Sequence, residues 1–345
     1  MNRSGLLRSV KSYACLRSYQ QRASASKTDH LYGASCVIPA LQAGKRRLKK
    51  LYVNDRGTGN SFAARIARED HRAPAGAESS KPLLERAIEL AHRREVSVVG
   101  IPGTRLDSLS DGRPNQGMVL AASPLEATQL RHLGAVEADD DGESSYKAVI
   151  TKRESLQMTV SSRGGTRAFP IWLALDQVVD PQNLGAILRT AHFLDIDGVV
   201  LTEHETAPFS STVSKASAGA MEVMDLFVTS SLPKFLEESA QHGWHVYGTD
   251  IHSPRTILIS EYLREKHRQP DSVLALVSSP TIIVLGSEGK GMRPAVSKMC
   301  HNHLLLGDGD DSDETRGEAA QEAYRVDSLN VSVAAGILLH TLATC

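Results

Sequence analysis

The alternation of apolar and polar positions divides the chain into two regions of regular structure separated by a stretch without periodicity. In the first region, Leu83, Leu84, Ala87, Ile88 and Ala91 recur at helical spacing, which predicts an amphipathic helix over Pro82 to Arg94. Ahead of it, Leu51-Tyr52-Val53 reads as a strand, and Val96 to Val99 follows as another. An earlier helix ends on Ala40-Leu41-Gln42-Ala43-Gly44, where glycine tolerates the left-handed conformation that closes a helix.

The second region begins at Ile171 and is more regular. Strands are predicted at Ile171 to Leu175, Gly198 to Leu201, Val223 to Val228, His245 to Thr249, Thr281 to Leu285 and Leu304 to Leu306. Helices are predicted at Asn183 to Phe193, Pro233 to His242 and Val331 to Leu342. Strand and helix patterns in alternation predict an α/β domain with a parallel sheet covered on both faces and ligands at the carboxyl ends of the strands. Between the regions, Glu126 to Arg167 carries Asp139-Asp140-Asp141-Gly142 and Ser161-Ser162-Arg163-Gly164-Gly165, a composition that predicts a flexible connector. A length of 345 residues fits two such domains plus tails.

Charge changes this picture locally. The net charge of −1 conceals a segment, residues 1–28, that holds six Lys/Arg and no acid. Leu6, Val10 and Tyr13 would share one helical face there, as a mitochondrial transit peptide requires. A basic arm gripping RNA is the other reading of that segment. Five cations within six residues, Lys45, Arg46, Arg47, Lys49 and Lys50, form a candidate phosphate-contacting face or a solvated helix end. No run of about 18 apolar residues is present, so no membrane span is expected. Cys15, Cys36, Cys300 and Cys345 lie far apart without a C-x-x-C pair, and His301 and His303 lack a third ligand in pattern. Reduced thiols, surface histidines and no metal are therefore expected.

Three segments at predicted strand ends carry polar residues that a core disfavours. The first, Asp176-Gln177-Val178-Val179-Asp180-Pro181-Gln182-Asn183, leads into a helix bearing Arg189. Asn183 reads either as that helix's N-cap or as a ligand-facing amide. The second, Gly286-Ser287-Glu288-Gly289-Lys290-Gly291-Met292, is a glycine-rich loop directly after a strand, where backbone can approach a ligand closely. It matches neither of the standard nucleotide-binding glycine motifs. The third, Ser328-Leu329-Asn330-Val331-Ser332, opens the last helix, with Ser328 readable as a cap.

Taken in order, these segments resemble the three motifs of the SpoU (TrmH) branch of the SPOUT RNA 2'-O-ribose methyltransferases, over about Leu173 to Leu342. The resemblance implies a SPOUT-type parallel sheet with a C-terminal trefoil knot, a rare exception to unknotted topology. It implies S-adenosylmethionine as cofactor, held through the backbone of Gly286, Leu306 and Leu329, with Thr249 a further candidate for the cofactor wall. Arg189, Glu288, Asn183, Asn330 and Ser332 match the family's catalytic positions, and the family works as a homodimer. Upstream, Tyr32-Gly33-Ala34 with Ala43-Gly44, and Asn115-Gln116-Gly117, resemble a small RNA substrate-binding α/β domain like ribosomal protein L30e. Within it, Asn115, Gln116 and the five cations are the RNA-contact candidates.

The expected organisation is a transit peptide at 1–28, an L30e-like domain at 29–125, an acidic linker at 126–167 and a methyltransferase domain at 168–345. The family pattern is interrupted by Leu306-Gly307-Asp308 and an acidic stretch, about 307–327, with eight acids against two bases; that composition predicts a disordered excursion. Together these features resemble mitochondrial enzymes that methylate a guanosine ribose of large-subunit rRNA in the matrix. A tRNA ribose methylase and a non-catalytic ribosome-assembly factor are the alternatives.

Overall fold

The computed structural model describes residues 27–55, 82–138, 144–151, 154–159, 169–249, 256–268, 276–307 and 329–344. The transit peptide expected at 1–28 lies outside these residues as far as residue 26, and the acidic stretch expected at about 307–327 lies outside them from residue 308. The chain divides into two compact units, one comprising Met1–Glu126 with Phe209–Val223, the other Ala127–Pro208 with Met224–Cys345.

The first unit is built on a four-stranded sheet of β1 (Asp29–Tyr32), β2 (Leu48–Asn54), β3 (Ser97–Ile101) and β4 (Met118–Ala122), in the order β1-β4-β2-β3. Of its three pairings only that of β2 with β3 is parallel. Helices Ala34–Ala43 and Leu83–Arg93 bury Val37, Leu41, Ala87, Ile88 and Ala91 in one core with Leu51 and Val53. The predicted apolar face thus meets the predicted strand, except that Leu83, at the helix start, is exposed. Gly44 closes the first helix in the left-handed conformation, its N–H donating to Ala40 O.

The basic run is corrected in one respect. Arg46 is not a phosphate contact: its side chain is fully buried and its guanidinium donates to both carboxylate oxygens of Glu222 at 2.7 and 2.9 Å, to Asp29 and to Ser123 O. Burial works against the charge, but Glu222 and Asp29 together outweigh it and raise the guanidinium's proton affinity. Lys45 Nζ donates to Val223 O and Lys49 Nζ to Lys27 O and Thr28, whereas Arg47 is exposed and Lys50 half-buried. Glu222 also accepts from Ser214 Oγ, so residues 209–223 are tied into this unit although the chain reaches them much later.

The second unit centres on an eight-stranded sheet. Its strands are β5 (Thr128–Gln129), β10 (Ile171–Leu175), β11 (Gly198–Thr202), β12 (Leu226–Thr229), β13 (His245–Gly248), β14 (Thr256–Leu258), β15 (Thr281–Leu285) and β16 (Asn302–Leu305). They lie in the order β14-β16-β13-β15-β10-β11-β12-β5, all described pairs being parallel. Strands β10, β11 and β15 are buried at every position, the pattern of a sheet covered on both faces. Helix Pro181–Phe193 begins two residues before the predicted start, and Asp180, not Asn183, is its N-cap, accepting from Gln182 N–H at 3.1 Å.

The connector reading is corrected too. Besides β5, the described residues between 132 and 159 include a small antiparallel sheet of β6 (His132–Leu133), β7 (Glu137–Ala138), β8 (Ser144–Val149) and β9 (Ser155–Thr159). Leu133, Tyr146, Ala148 and Leu156 are buried, and Tyr146 Oη accepts from Trp172 Nε1 at 2.7 Å while packing edge-on to Trp172 and Trp244. Aromatic burial of this kind offsets the ordering cost that acidic composition suggested would prevail. The Trp172 indole fits because Gly198 has no Cβ; one added there would stand 2.5 Å from the ring.

Arg46→Ala leaves Glu222 buried without its counter-charge and is expected to cost about 3–5 kcal/mol, read as a lowered urea midpoint. Arg46→Met with Glu222→Gln removes both charges and is expected to recover part of that loss.

Candidate active site

In the second unit the chain adds β11 and β12 on one side of β10, then places β13 and β15 on the other. Loops leaving the carboxyl ends of β10 and β15 therefore diverge at a point where the strand order reverses, the usual place for a ligand in such a sheet. Leu175 and Leu285, the last residues of the two strands, are in register, so Asp176 and Gly286 leave the sheet side by side.

The polar residues singled out in the three segments converge there. Asn183 Nδ2 donates to Glu288 Oε2 at 2.7 Å, and Asn330 Nδ2 donates to Asn183 Oδ1 at 3.0 Å and to Glu288 Oε1 at 3.2 Å. Asn330 Oδ1 in turn accepts from the Ser332 N–H at 2.9 Å and the Ser332 hydroxyl at 2.6 Å. Asn183 is buried, while Glu288 and Asn330 are exposed, so the cluster has a floor and a solvent-facing rim. Glu288 faces outward, with its carboxylate held between two amides.

Arg189 stands apart from this set. It is exposed, on helix Pro181–Phe193, with no hydrogen bond or ion pair to another described residue. Four residues on, Phe193 is the most exposed large apolar side chain among those described, at 76%. Helix Val331–Thr344 packs against this helix and exposes Val333 and Ile337, also four apart.

The glycine-rich loop is a tight hairpin. Ser287 and Gly291 exchange two backbone hydrogen bonds of 3.0 Å, and Gly289 and Gly291 take positive φ of 85° and 65°. Gly286 admits no side chain: a Cβ would lie 2.3 Å from the carbonyl carbon of Gly291 and 2.4 Å from Met292 N. Of the cofactor candidates, Gly286 follows β15 and Leu306 follows β16, while Thr249 follows β13 and donates to Val284 O at 3.1 Å. Leu329 is exposed just before the last helix.

The RNA candidates of the first unit divide. Asn115 is buried and shapes the turn into β4, donating to Asp107 and Ser110 and accepting from Gly117 N–H, so it is withdrawn as an RNA contact. Gln116 is exposed, with its side-chain oxygen accepting from Ala34 N–H at the start of the first helix. The histidine expectation also changes: His303 is buried with Nε2 at 3.0 Å from Ser297 Oγ, and His301 Nδ1 accepts from Val246 N–H. Among the described residues no group of three or more His, Cys, Asp or Glu could hold a metal ion.

The SpoU rRNA Methylase family matches residues 170–306, the span that supplies β10, the glycine-rich loop and β16. A Homo sapiens protein named rRNA methyltransferase 1, mitochondrial, is 31% identical over 326 residues, covering 92% of this chain and 73% of that one. The chain belongs to the SpoU rRNA methylase family. It stands thereby among the rRNA methyltransferases. A second relative of the family, rRNA methyltransferase 1, mitochondrial, of Dictyostelium discoideum, is 33% identical over 259 residues. That alignment covers 75% of this chain, which spans only 44% of the Dictyostelium protein's length. A solved rRNA methyltransferase of Sinorhizobium meliloti with AdoMet bound shares the fold, with a TM-score of 0.57 and 19% identity over 92% of this chain and 87% of that one.

Asp176 carried no role in the sequence reading, although it lies in the first segment. It is fully buried and ion-paired to Arg293, a partner 117 positions away that no local spacing announces.

Gly286→Ala in this methyltransferase is expected to displace the hairpin and lower stability by about 1–3 kcal/mol. Thermal unfolding with retained far-UV circular dichroism would show it.

Proposed function

We propose that the protein transfers the methyl group of S-adenosylmethionine to the ribose 2'-hydroxyl of a guanosine in mitochondrial large-subunit rRNA. The observation that carries this reading is the hydrogen-bonded set Asn183, Glu288, Asn330 and Ser332 at the strand-order reversal. Four side chains from three distant segments share one network there, and its rim faces solvent.

Gly286, Leu306 and Leu329 would hold the cofactor: they offer backbone polar groups beside apolar side chains, a mixture that suits an adenosine. Bound S-adenosylmethionine supplies a methyl group already activated on a sulfonium, so the protein's task is alignment and charge handling. Asn183, Asn330 and Ser332 would align the hydroxyl, with Glu288 fixing the amides around it. Arg189, a permanent cation, would stabilise the developing alkoxide and the neighbouring phosphate. The 2'-hydroxyl restricts the substrate to RNA.

A homodimer fits the exposed apolar residues. Leu329, Val333 and Ile337 with Phe193 leave an unpartnered apolar surface on two packed helices, the kind of patch a second copy would cover. Arg189 lies one helical turn from Phe193, so covering that surface would bring it against the partner. The trefoil knot, the L30e-like character of the first unit with Arg47 and Lys50 as its phosphate contacts, and import into the mitochondrial matrix by the basic presequence complete the proposal.

Incubation with labelled S-adenosylmethionine and mitochondrial rRNA should place label on a guanosine ribose; a folded protein that labels no ribose of this RNA overturns the assignment. Arg189→Ala is expected to lower methylation by at least ~100-fold while RNA affinity changes little. Val333→Asp with Ile337→Asp is expected to yield monomers in sedimentation velocity and to abolish turnover.

A further inference from the structure

The glycine-rich hairpin has two feet, Leu285 before it and Arg293 after it, and one residue grips both. The Asp176 N–H donates to Leu285 O at 2.8 Å. Its carboxylate accepts from Arg293 N–H at 2.9 Å through one oxygen, and from Arg293 Nε at 2.8 Å and Nη2 at 2.6 Å through the other. Asp176 is fully buried while Arg293 is partly exposed, so the carboxylate has these charge-assisted bonds in place of water. On the solvent side, Arg293 Nη1 lies 3.8 Å from Glu205, and Glu205 accepts from Gln177 Nε2. Gln177 and Glu205 both hold positive φ, 60° and 62°, which non-glycine residues adopt only when their surroundings impose it.

We infer that Asp176 and Arg293 are positioning residues for methyl transfer: their ion pair closes the base of the hairpin and thereby sets Glu288 against Asn183 and Asn330. The inference rests on the proposed role of Glu288. The physical reason is leverage. The hairpin itself is joined by one pair of backbone bonds between Ser287 and Gly291, and three of its five residues are Glu288, Gly289 and Lys290 at an exposed tip. With glycines at 286, 289 and 291, such a loop has many conformations open to it. Only the anchor at its feet selects the one in which Glu288 Oε1 and Oε2 reach two different amides. Neither Asp176 nor Arg293 is part of the hydrogen-bonded set, so both act through the loop.

The test uses the full chain with Asp176→Asn, which keeps the side-chain shape and leaves the partly exposed Arg293 able to reach water, and with Asp176→Asn plus Arg293→Met, which removes the ion pair without stranding a buried charge. Both variants are expected to show kcat for rRNA methylation lowered by about 100-fold, unchanged affinity for rRNA, and faster amide exchange at Ser287 and Gly291. Combined with Glu288→Ala, Asp176→Asn is expected to give no further fall in kcat, because it acts through Glu288. Multiplication of the two losses, or amides as protected as in the wild type, would overturn the inference. Should Glu288→Ala leave methylation intact, the assigned role of Glu288 fails, and with it the catalytic part of this inference. Amide exchange reads the staple itself in either event.

Discussion

Parallel pairing of β10 with β15 is the constraint on which the site depends. The two strands are more than a hundred residues apart in sequence, and only their register, Leu175 opposite Leu285, makes the segments that follow them neighbours. Every position of both strands is buried, so slipping the register by one residue would turn apolar side chains out of two cores at once. The sheet can therefore hold small polar groups in fixed relation at the carboxyl ends of its central strands. Asn183 and Glu288 meet because the sheet delivers them, and Asn330 joins them from the start of the last helix.

How much of this was legible in sequence depended on the reach of each interaction. In the second unit β10, β11, β13 and β15 could be read because their apolar runs are regular, and β10 and β15 fall where the pattern put them; β14 and the helix Ile259–Arg268, whose apolar residues are isolated among charges, could not. The polar members of the site could be read for the complementary reason: each stands just past an apolar run, where a core residue would be expected to stop. Asp176 and Arg46 could not be read as anchors. Each is a charge whose burial makes sense only beside a partner brought from 117 or 176 positions away. The strands between 128 and 159 were hidden differently, because they are short and bury only Leu133, Tyr146, Ala148 and Leu156 among polar residues, leaving Tyr146 and two tryptophans to supply much of the core.

Two buried ion pairs do different work in the two units. Arg46 with Glu222 fastens a long-range insertion into the first unit, where a missing partner would strand a charge in the core. Asp176 with Arg293 lies under a loop whose tip is exposed and rich in glycine. Buried charges are expensive to retain compared with apolar packing. Both pairs here join segments far apart in sequence, and their directional bonds add what apolar contact lacks, a single geometry.

The excursion at Phe209–Val223 also bears on synthesis. The chain emerges amino end first from the ribosome and, on the proposed import route, again from the membrane it crosses unfolded, and domains generally begin to fold as they emerge. The first unit is not complete when residue 126 appears: its buried Arg46 has no carboxylate at Glu222 until β10 and β11 of the other unit have already been made. The two units cannot mature in simple succession. The amino-terminal part must wait, partly assembled, for a piece of its own core to arrive from within its neighbour.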